Sequence, residues 1–119
     1  MKVIVILSHG SKNKNSNNLP LKVAKDLENN TGVRTLIANL QLSPPYLDEV
    51  IEDEYKKGVR NFVIHPFFLH EANHVMHDIP EYLVKLKEKF KDANFITTDI
   101  TGNHPMISKI VEDQIRSFL

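Results

Sequence analysis

The sequence of 119 residues contains no cysteine, no excess of either charge and no long hydrophobic run. Without cysteine the chain has no disulfide framework, thiolate metal site or cysteine nucleophile. Lysine plus arginine and aspartate plus glutamate each number 15, which argues against the basic face of a nucleic-acid-binding protein. The N-terminal apolar run, residues 3–7, is too short for a secretory or membrane-spanning segment. We therefore expect a soluble cytoplasmic protein with neither a nucleic-acid nor a membrane partner.

Hydrophobic patterning alternates between two periods along the chain. Short runs rich in β-branched and aromatic residues predict four strands, at residues 2–8, 33–40, 61–64 and 94–98. A segment with apolar residues at helical spacing follows each strand. We expect the second helix to start at residues 43–45 and the third at the capping-box pattern of residues 78–81.

This β-α-β-α-β-α-β-α order predicts an α/β fold in three layers. Its centre is an open sheet of four parallel strands, with right-handed crossovers that place helices on both faces. Residues 1–119 are expected to form a single domain, because the sequence shows no repeat, linker or low-complexity tract.

All six histidines fall at or after the ends of predicted strands: His9, His65, His70, His74, His77 and His104. In an open parallel sheet, the carboxyl ends of the strands form the edge that binds ligands. Neutral imidazole is well suited to binding transition metals and to transferring protons. The pattern therefore predicts a metal or proton-transfer site at this edge.

The first of these sites, His9-Gly10-Ser11-Lys12, is open to two interpretations. One is a ligand imidazole beside the backbone amides of a tight turn, with Lys12 and Lys14 available for acidic groups. The other is an ordinary turn that carries an exposed histidine. The segment matches neither a phosphate-binding P-loop nor the nucleophile elbow of a hydrolase.

The connection at residues 65–78 contains four histidines and two carboxylates. Its predicted length favours a functional loop, and the alternative is a solvated surface loop. His70 and His77 are individually expected to be bystanders or auxiliaries in metal delivery or proton transfer. His65 is expected to hydrogen-bond at the strand end, and His104 to cap the last helix.

Four elements together resemble the small CbiX-type sirohydrochlorin chelatases of the cobaltochelatase and ferrochelatase group. They are His9-Gly10-Ser11-Lys12, residues 66–69, His74-Val75-x-x-Asp78-Ile79-Pro80 and residues 102–105. The resemblance covers nearly the whole chain and implies a chelatase-like single lobe. It implies insertion of a divalent metal substrate, Co²⁺ first and Ni²⁺ or Fe²⁺ as alternatives, into a sirohydrochlorin-type tetrapyrrole. No organic cofactor is expected, and a homodimer is expected to supply the second lobe.

The same resemblance implies that His9 and His74 are the metal ligands. Glu71 is the expected proton acceptor, and Gln41 stands where the family often has glutamate. The remaining candidate binding residues would meet the carboxylates or the apolar surface of the macrocycle: Ser11, Lys12, Lys14, Phe68 and Leu69.

Two other functions remain open from the sequence. One is a non-catalytic protein of the same fold that binds metal or tetrapyrrole without turnover. The other is a small hydrolase or phosphate-binding domain that uses Ser11, with Asp99 and a histidine as partners. The hydrolase alternative leaves the clustered histidines without a role.

Overall fold

A computed structural model describes residues 1–71 and 73–119, with the backbone but not the side chains of residues 73–76. Strands and helices alternate in the predicted order. The strands are β1 (Lys2–Ser8), β2 (Thr35–Asn39), β3 (Asn61–Pro66) and β4 (Asn94–Thr97). The α-helices are α1 (Asn18–Thr31), α2 (Leu47–Lys56), α3 (Asn73–Lys89) and α4 (Met106–Ile115). One-turn 3₁₀ helices at Thr101–Asn103 and Arg116–Phe118 flank α4.

The four strands form one parallel sheet in the order β2-β1-β3-β4. The chain places β2 on one side of β1 and then crosses over to place β3 on the other. The winding of the sheet therefore reverses between β1 and β3. The carboxyl ends of these two strands, at Ser8 and Pro66, border the crevice where open α/β sheets bind ligands.

Alternate residues of the strands point to opposite faces, and a different set of helices covers each face. The larger core lies between the sheet and α2 plus α3. It contains Val3, Val5, Leu7, Ile51, Phe62, Ile64, Leu86, Phe90 and Phe95, among others. The smaller core lies under α1, where Ile6, Ala24 and Ile37 are buried together. Helices therefore cover both faces of the sheet, as predicted.

Two glycines end helices where the sequence predicts. Gly32 follows α1 with a left-handed φ of 72°, and its N–H donates to the Glu28 carbonyl at 2.9 Å. Gly58 follows α2 with a φ of 101°. Glycine adopts this backbone region without the clash that a Cβ would make.

The start of α2 differs from the prediction. Ser43 does not cap the helix, which begins at Leu47 with Tyr46 as its N-cap residue. The Ser43 hydroxyl instead accepts the Ser11 N–H at 3.2 Å. This serine therefore joins the turn after β1 to the turn after β2, a tertiary contact that a local capping rule does not include.

The start of α3 also differs from the prediction. The helix begins at Asn73, five residues before the expected start at Asp78, so Pro80 lies within it. Proline removes one backbone hydrogen bond, yet the burial of Ile79 and Leu86 against the sheet keeps the segment helical. His74 and His77 consequently belong to a helix, and the connection after β3 is shorter than expected.

The last helix packs differently from the other three. None of its residues is buried, although its apolar residues recur at the predicted helical spacing. No helix among the described residues combines the length and the hydropathy that a membrane span requires.

Candidate functional site

His9 lies directly beyond the carboxyl end of β1, at the reversal of the sheet winding. Gly10 allows the turn that holds it, with a φ of 97°. The space beside Gly10 is filled by the chain after β2, because a Cβ there would lie 1.7 Å from the Gln41 carbonyl oxygen. The Gln41 N–H donates to the His9 carbonyl at 3.0 Å. The two loops are thus locked together at the edge where a ligand would bind.

The side chains of His9 and Gln41 also meet. Gln41 Nε2 lies 2.9 Å from His9 Nε2. An amide nitrogen only donates, so the ring nitrogen accepts in this contact. The Nε2 lone pair, which a metal ion would use, faces the Gln41 carboxamide. A metal bound there would displace the amide N–H, and a half-turn of the carboxamide would offer its oxygen instead.

The turn that follows His9 carries the cationic candidates. Lys12 and Lys14 are exposed, and neither takes part in an ion pair within residues 1–71 and 73–119. They are therefore accessible to the carboxylates of an acidic ligand. Ser11 accepts the Asn13 N–H at 3.1 Å, and no histidine whose side chain is described hydrogen-bonds its hydroxyl. That geometry gives no support to a serine nucleophile.

The chain after β3 supplies the apolar candidates. The Phe67 N–H donates to the Leu7 carbonyl at 2.7 Å, which extends the pairing of β1 and β3 beyond their ends. Phe68 is half-buried and packs against the larger core, so much of its side chain is structural. Leu69 is 70% exposed and is the more available apolar contact.

Glu71 belongs to a polar network that local sequence patterns do not indicate. Asn103 Nδ2 donates to Glu71 Oε1 at 3.0 Å and to Asp99 Oδ1 at 2.9 Å. The Gly102 N–H donates to the Phe68 carbonyl at 2.9 Å, and a Cβ on Gly102 would lie 1.5 Å from the Leu69 oxygen. The turn after β4 therefore holds the loop that carries Glu71. The only sequence signal for it was the Gly-Asn pair after β4.

His74 lies in the first turn of α3, and its side chain is outside the described residues. Its predicted pairing with His9 therefore stays a prediction. His77 is exposed in the next turn of α3, and His70 is exposed in the loop before it. Neither belongs to a group of three metal-ligating side chains, and no such group occurs among the side chains that the structure describes.

His65 hydrogen-bonds at the strand end, as the sequence predicted. Its Nδ1 lies 2.7 Å from Thr98 Oγ1, and its Nε2 lies 2.7 Å from Thr101 Oγ1. The Thr98 hydroxyl donates to the Asp99 carbonyl, so it accepts from Nδ1–H, and Nε2 accepts from Thr101. Burial lowers the pKa of His65 and favours this neutral form. Both ring nitrogens are engaged, which excludes His65 as a ready metal ligand.

The structure also confirms the capping role of His104. Its Nδ1 accepts the Met106 N–H at 3.0 Å, at the start of α4. Imidazole nitrogen here replaces the oxygen that more commonly satisfies a free N–H at a helix start. The six histidines therefore have different roles, although all occur after strands in the sequence.

Comparison with known proteins identifies relatives over the whole fold. The family model CbiX matches residues 3–118. The chloroplastic sirohydrochlorin ferrochelatase of Arabidopsis thaliana is 26% identical over 117 residues, which are 98% of this chain and 52% of the relative. A sirohydrochlorin cobaltochelatase of Methanococcus aeolicus is 31% identical over 84 residues, which are 70% of this chain and 59% of the relative. The chain thus spans between half and three fifths of the length of these two relatives.

Solved structures share the fold. A CbiX protein from Marinobacter aquaeolei superimposes with a TM-score of 0.86 at 22% identity, and the match covers 99% of this chain and 97% of that one. SirB from Bacillus subtilis with Fe³⁺ gives a TM-score of 0.84 at 22% identity over 98% of this chain and 47% of its own. At these identities the likeness establishes the architecture of the lobe. Taken with the family model, which matches nearly every residue, it shows that the chain belongs to the CbiX family.

Proposed function

We propose that this chain is a metallochelatase that inserts a divalent metal into sirohydrochlorin. The observation that carries the proposal is the position of His9, an imidazole held at the reversal between β1 and β3 with its Nε2 lone pair facing Gln41. Its curated relatives include both a ferrochelatase and a cobaltochelatase. Co²⁺ is the proposed metal substrate, with Ni²⁺ and Fe²⁺ as alternatives, because imidazole binds all three.

Insertion requires the metal to leave protein ligands while two pyrrole N–H protons are removed. We assign His9 and His74 to hold the metal substrate with exchangeable positions left open. Glu71 is the assigned proton acceptor, and a positioned base of this kind contributes about 10²–10⁴-fold in rate. Asn103 fixes the orientation of that carboxylate through its 3.0 Å hydrogen bond.

The macrocycle would be bound by groups around this centre. Lys12 and Lys14 provide positive charge for its carboxylates, since they are exposed and outside the ion pairs of the described residues. Leu69 provides apolar surface on the opposite loop. We further propose that the chain acts as a homodimer of two lobes, which its match to about half of the SirB chain supports.

The decisive experiment is spectrophotometry of metal insertion, with sirohydrochlorin and Co²⁺, Ni²⁺ or Fe²⁺ under anaerobic conditions. The wild-type protein should accelerate insertion of at least one metal, and His9→Ala should abolish the acceleration. His104→Asn is the matched control, because asparagine can keep the cap of α4 and lies outside the proposed site. No acceleration with any metal would refute the enzyme. Full activity of His9→Ala would refute the ligand assignment.

A second candidate function is a protein that binds the metal or the tetrapyrrole without turnover. It is favoured by one observation, the neutral Gln41 carboxamide beside His9 Nε2. A carboxamide, unlike a carboxylate, does not accept a proton at neutral pH. Titration calorimetry with Co²⁺ and with sirohydrochlorin separates the two: binding without insertion supports the carrier, and turnover supports the chelatase.

A further inference from the structure

Leu42 has a backbone conformation that leucine rarely adopts. Among the residues that the structure describes, it is the one residue other than glycine with a positive φ, 74°. In this left-handed region the Cβ of an L-residue lies too close to the following carbonyl oxygen. Leucine is therefore strained at this position, whereas glycine, which has no Cβ, would not be.

Hydrogen bonds on both sides of Leu42 hold it in this conformation. Before it, the Gln41 N–H donates to the His9 carbonyl at 3.0 Å. After it, Asn39 Nδ2 donates to the Ser43 carbonyl at 3.0 Å, and Asn39 is itself buried. The chain is thus fixed before and after Leu42, which makes the turn between the two contacts. Strained residues persist where their surroundings determine the backbone in this way, and they cluster at positions that contact ligands.

The side chain of Leu42 gives little packing in return for this strain. It is 49% exposed, and it belongs to neither of the two hydrophobic cores that the described residues form. Single exposed leucines are common on protein surfaces and need no explanation. Leu42 differs from them because its exposure is combined with a strained backbone. The combination indicates an apolar contact that forms only when a ligand is bound.

The position of Leu42 indicates what that ligand is. It follows β2 in the chain as Leu69, which is 70% exposed, follows β3. Strands β2 and β3 lie on either side of β1, so the two leucines belong to the loops that flank His9. Neighbouring strands are about 4.8 Å apart, which places the ends of β2 and β3 about 10 Å from each other. Apolar side chains on both sides of the proposed metal ligand suit a broad macrocycle whose centre has to lie over that ligand.

We propose that Leu42 is a specificity-determining residue, which contacts the apolar surface of the tetrapyrrole and helps to centre its nitrogens over His9. Lys12 and Lys14 meet the carboxylates of the macrocycle, and Leu42 and Leu69 meet its ring. Because the backbone on both sides of Leu42 is already fixed, binding loses little conformational entropy there. The inference rests on the proposed function and adds to that site a residue that no sequence motif indicated.

Binding of sirohydrochlorin without metal, followed by its absorption spectrum, tests this contact. Leu42→Ala and Leu42→Gly should each weaken binding by about tenfold, the change expected when the apolar contact of one leucine is lost. Leu42→Met keeps an apolar side chain of similar size and should bind like the wild type. Val84→Ala is the matched control, because Val84 is 55% exposed on α3, about three turns from the edge where ligands bind. It should leave the affinity unchanged.

Two further measurements separate an apolar ligand contact from a structural role. The loss of affinity in Leu42→Ala should be the same at low and high salt, whereas the loss in Lys12→Ala should become smaller at high salt because ions screen exposed charges. Leu42→Gly should unfold at a higher urea concentration than Leu42→Ala. Both variants lack the side chain, and only glycine is unstrained at this φ.

The possible outcomes distinguish this inference from the proposed function. If folded Leu42→Ala binds sirohydrochlorin as tightly as the wild type, the inference is wrong and the chelatase proposal is unaffected. A wild type that neither binds nor metallates sirohydrochlorin refutes both. Calorimetry with Co²⁺ and sedimentation velocity should give the same results for Leu42→Ala and the wild type. Weaker Co²⁺ binding or a changed sedimentation coefficient would assign Leu42 to the His9 turn or to a contact between copies, and would also overturn the inference.

Discussion

Replacement of Gly10 by alanine tests how tightly the His9 turn is built. A Cβ at Gly10 would lie 1.7 Å from the Gln41 carbonyl oxygen and 2.9 Å from its carbon. Carbon and carbonyl oxygen approach to about 3.3 Å, so the Gln41 backbone would have to move by about 1.6 Å. Because the obstacle is backbone, no side-chain rotation relieves it.

The energetic cost has two parts. Alanine at the positive φ of Gly10, 97°, costs about 1–2 kcal/mol. Displacing Gln41 also breaks its 3.0 Å hydrogen bond to the His9 carbonyl, which contributes about 0.5–1.5 kcal/mol. We expect Gly10→Ala to lower the free energy of unfolding by about 2–3 kcal/mol. The rate of metal insertion should fall by about 10²-fold, since a displacement near 1 Å at a reacting centre has that effect.

Gly32→Ala is the matched control. Gly32 also has a positive φ, 72°, but no atom lies within 4 Å of its hypothetical Cβ. Gly32→Ala should lower the free energy of unfolding only by the cost of alanine at a positive φ, about 1–2 kcal/mol, and should leave metal insertion unchanged. Urea unfolding followed by circular dichroism gives the first quantity, and spectrophotometry with sirohydrochlorin gives the second. If the two variants have equal stability and equal activity, the proposed coupling between the His9 turn and Gln41 is wrong.

Three further predictions concern single side chains. Burial lowers the pKa of His65, so the folded state binds fewer protons there than the unfolded state. The free energy of unfolding should therefore decrease as pH falls below about 6.5. His65→Gln should make urea midpoints less dependent on pH in that range. Glu54 is 3% exposed and accepts hydrogen bonds from Arg34 and Lys57. Burial alone would raise the pKa of Glu54, but those hydrogen bonds outweigh it and lower the pKa. Glu54→Gln should therefore cost about 1–3 kcal/mol at neutral pH, and this difference should vanish as pH falls through the lowered pKa of the wild-type carboxylate. Asn103→Ala should reduce kcat for metal insertion with little change in KM, because Asn103 acts through the Glu71 carboxylate. Asn103→Asp, which repels Glu71, should not restore activity. An unchanged kcat in Asn103→Ala would show that Asn103 is not part of the site.

Local sequence patterns predicted most of the fold because the relevant forces are local. Runs of valine and isoleucine gave the strands, and Gly32 and Gly58 ended two helices at the predicted places. The start of α3 was predicted five residues too late, since the Asp78 pattern resembles a cap and Pro80 normally opens a helix. The packing of Ile79 and Leu86 on the sheet, which the local pattern does not contain, determines that helix.

The candidate site, like the fold, was predicted from the sequence only in part. The sequence indicated His9 and Glu71 by residue type and position, and it indicated that His65 and His104 are structural. Their partners lie far away in the sequence: Gln41 is 32 residues from His9, and Asn103 is 32 residues from Glu71. Such pairs form only when the sheet brings separate loops to one edge, because the residues between them carry no periodic signal that relates the two.

The sequence by itself thus determined the order of strands and helices, the edge where the histidines gather and the family resemblance. It did so because periodicity, turn residues and motifs act over a few neighbouring residues. Only the tertiary structure decided which histidines are already engaged, which amide faces His9, and that no residue of α4 is buried. Those properties depend on distances and burial between segments, which arise only once the sheet has formed.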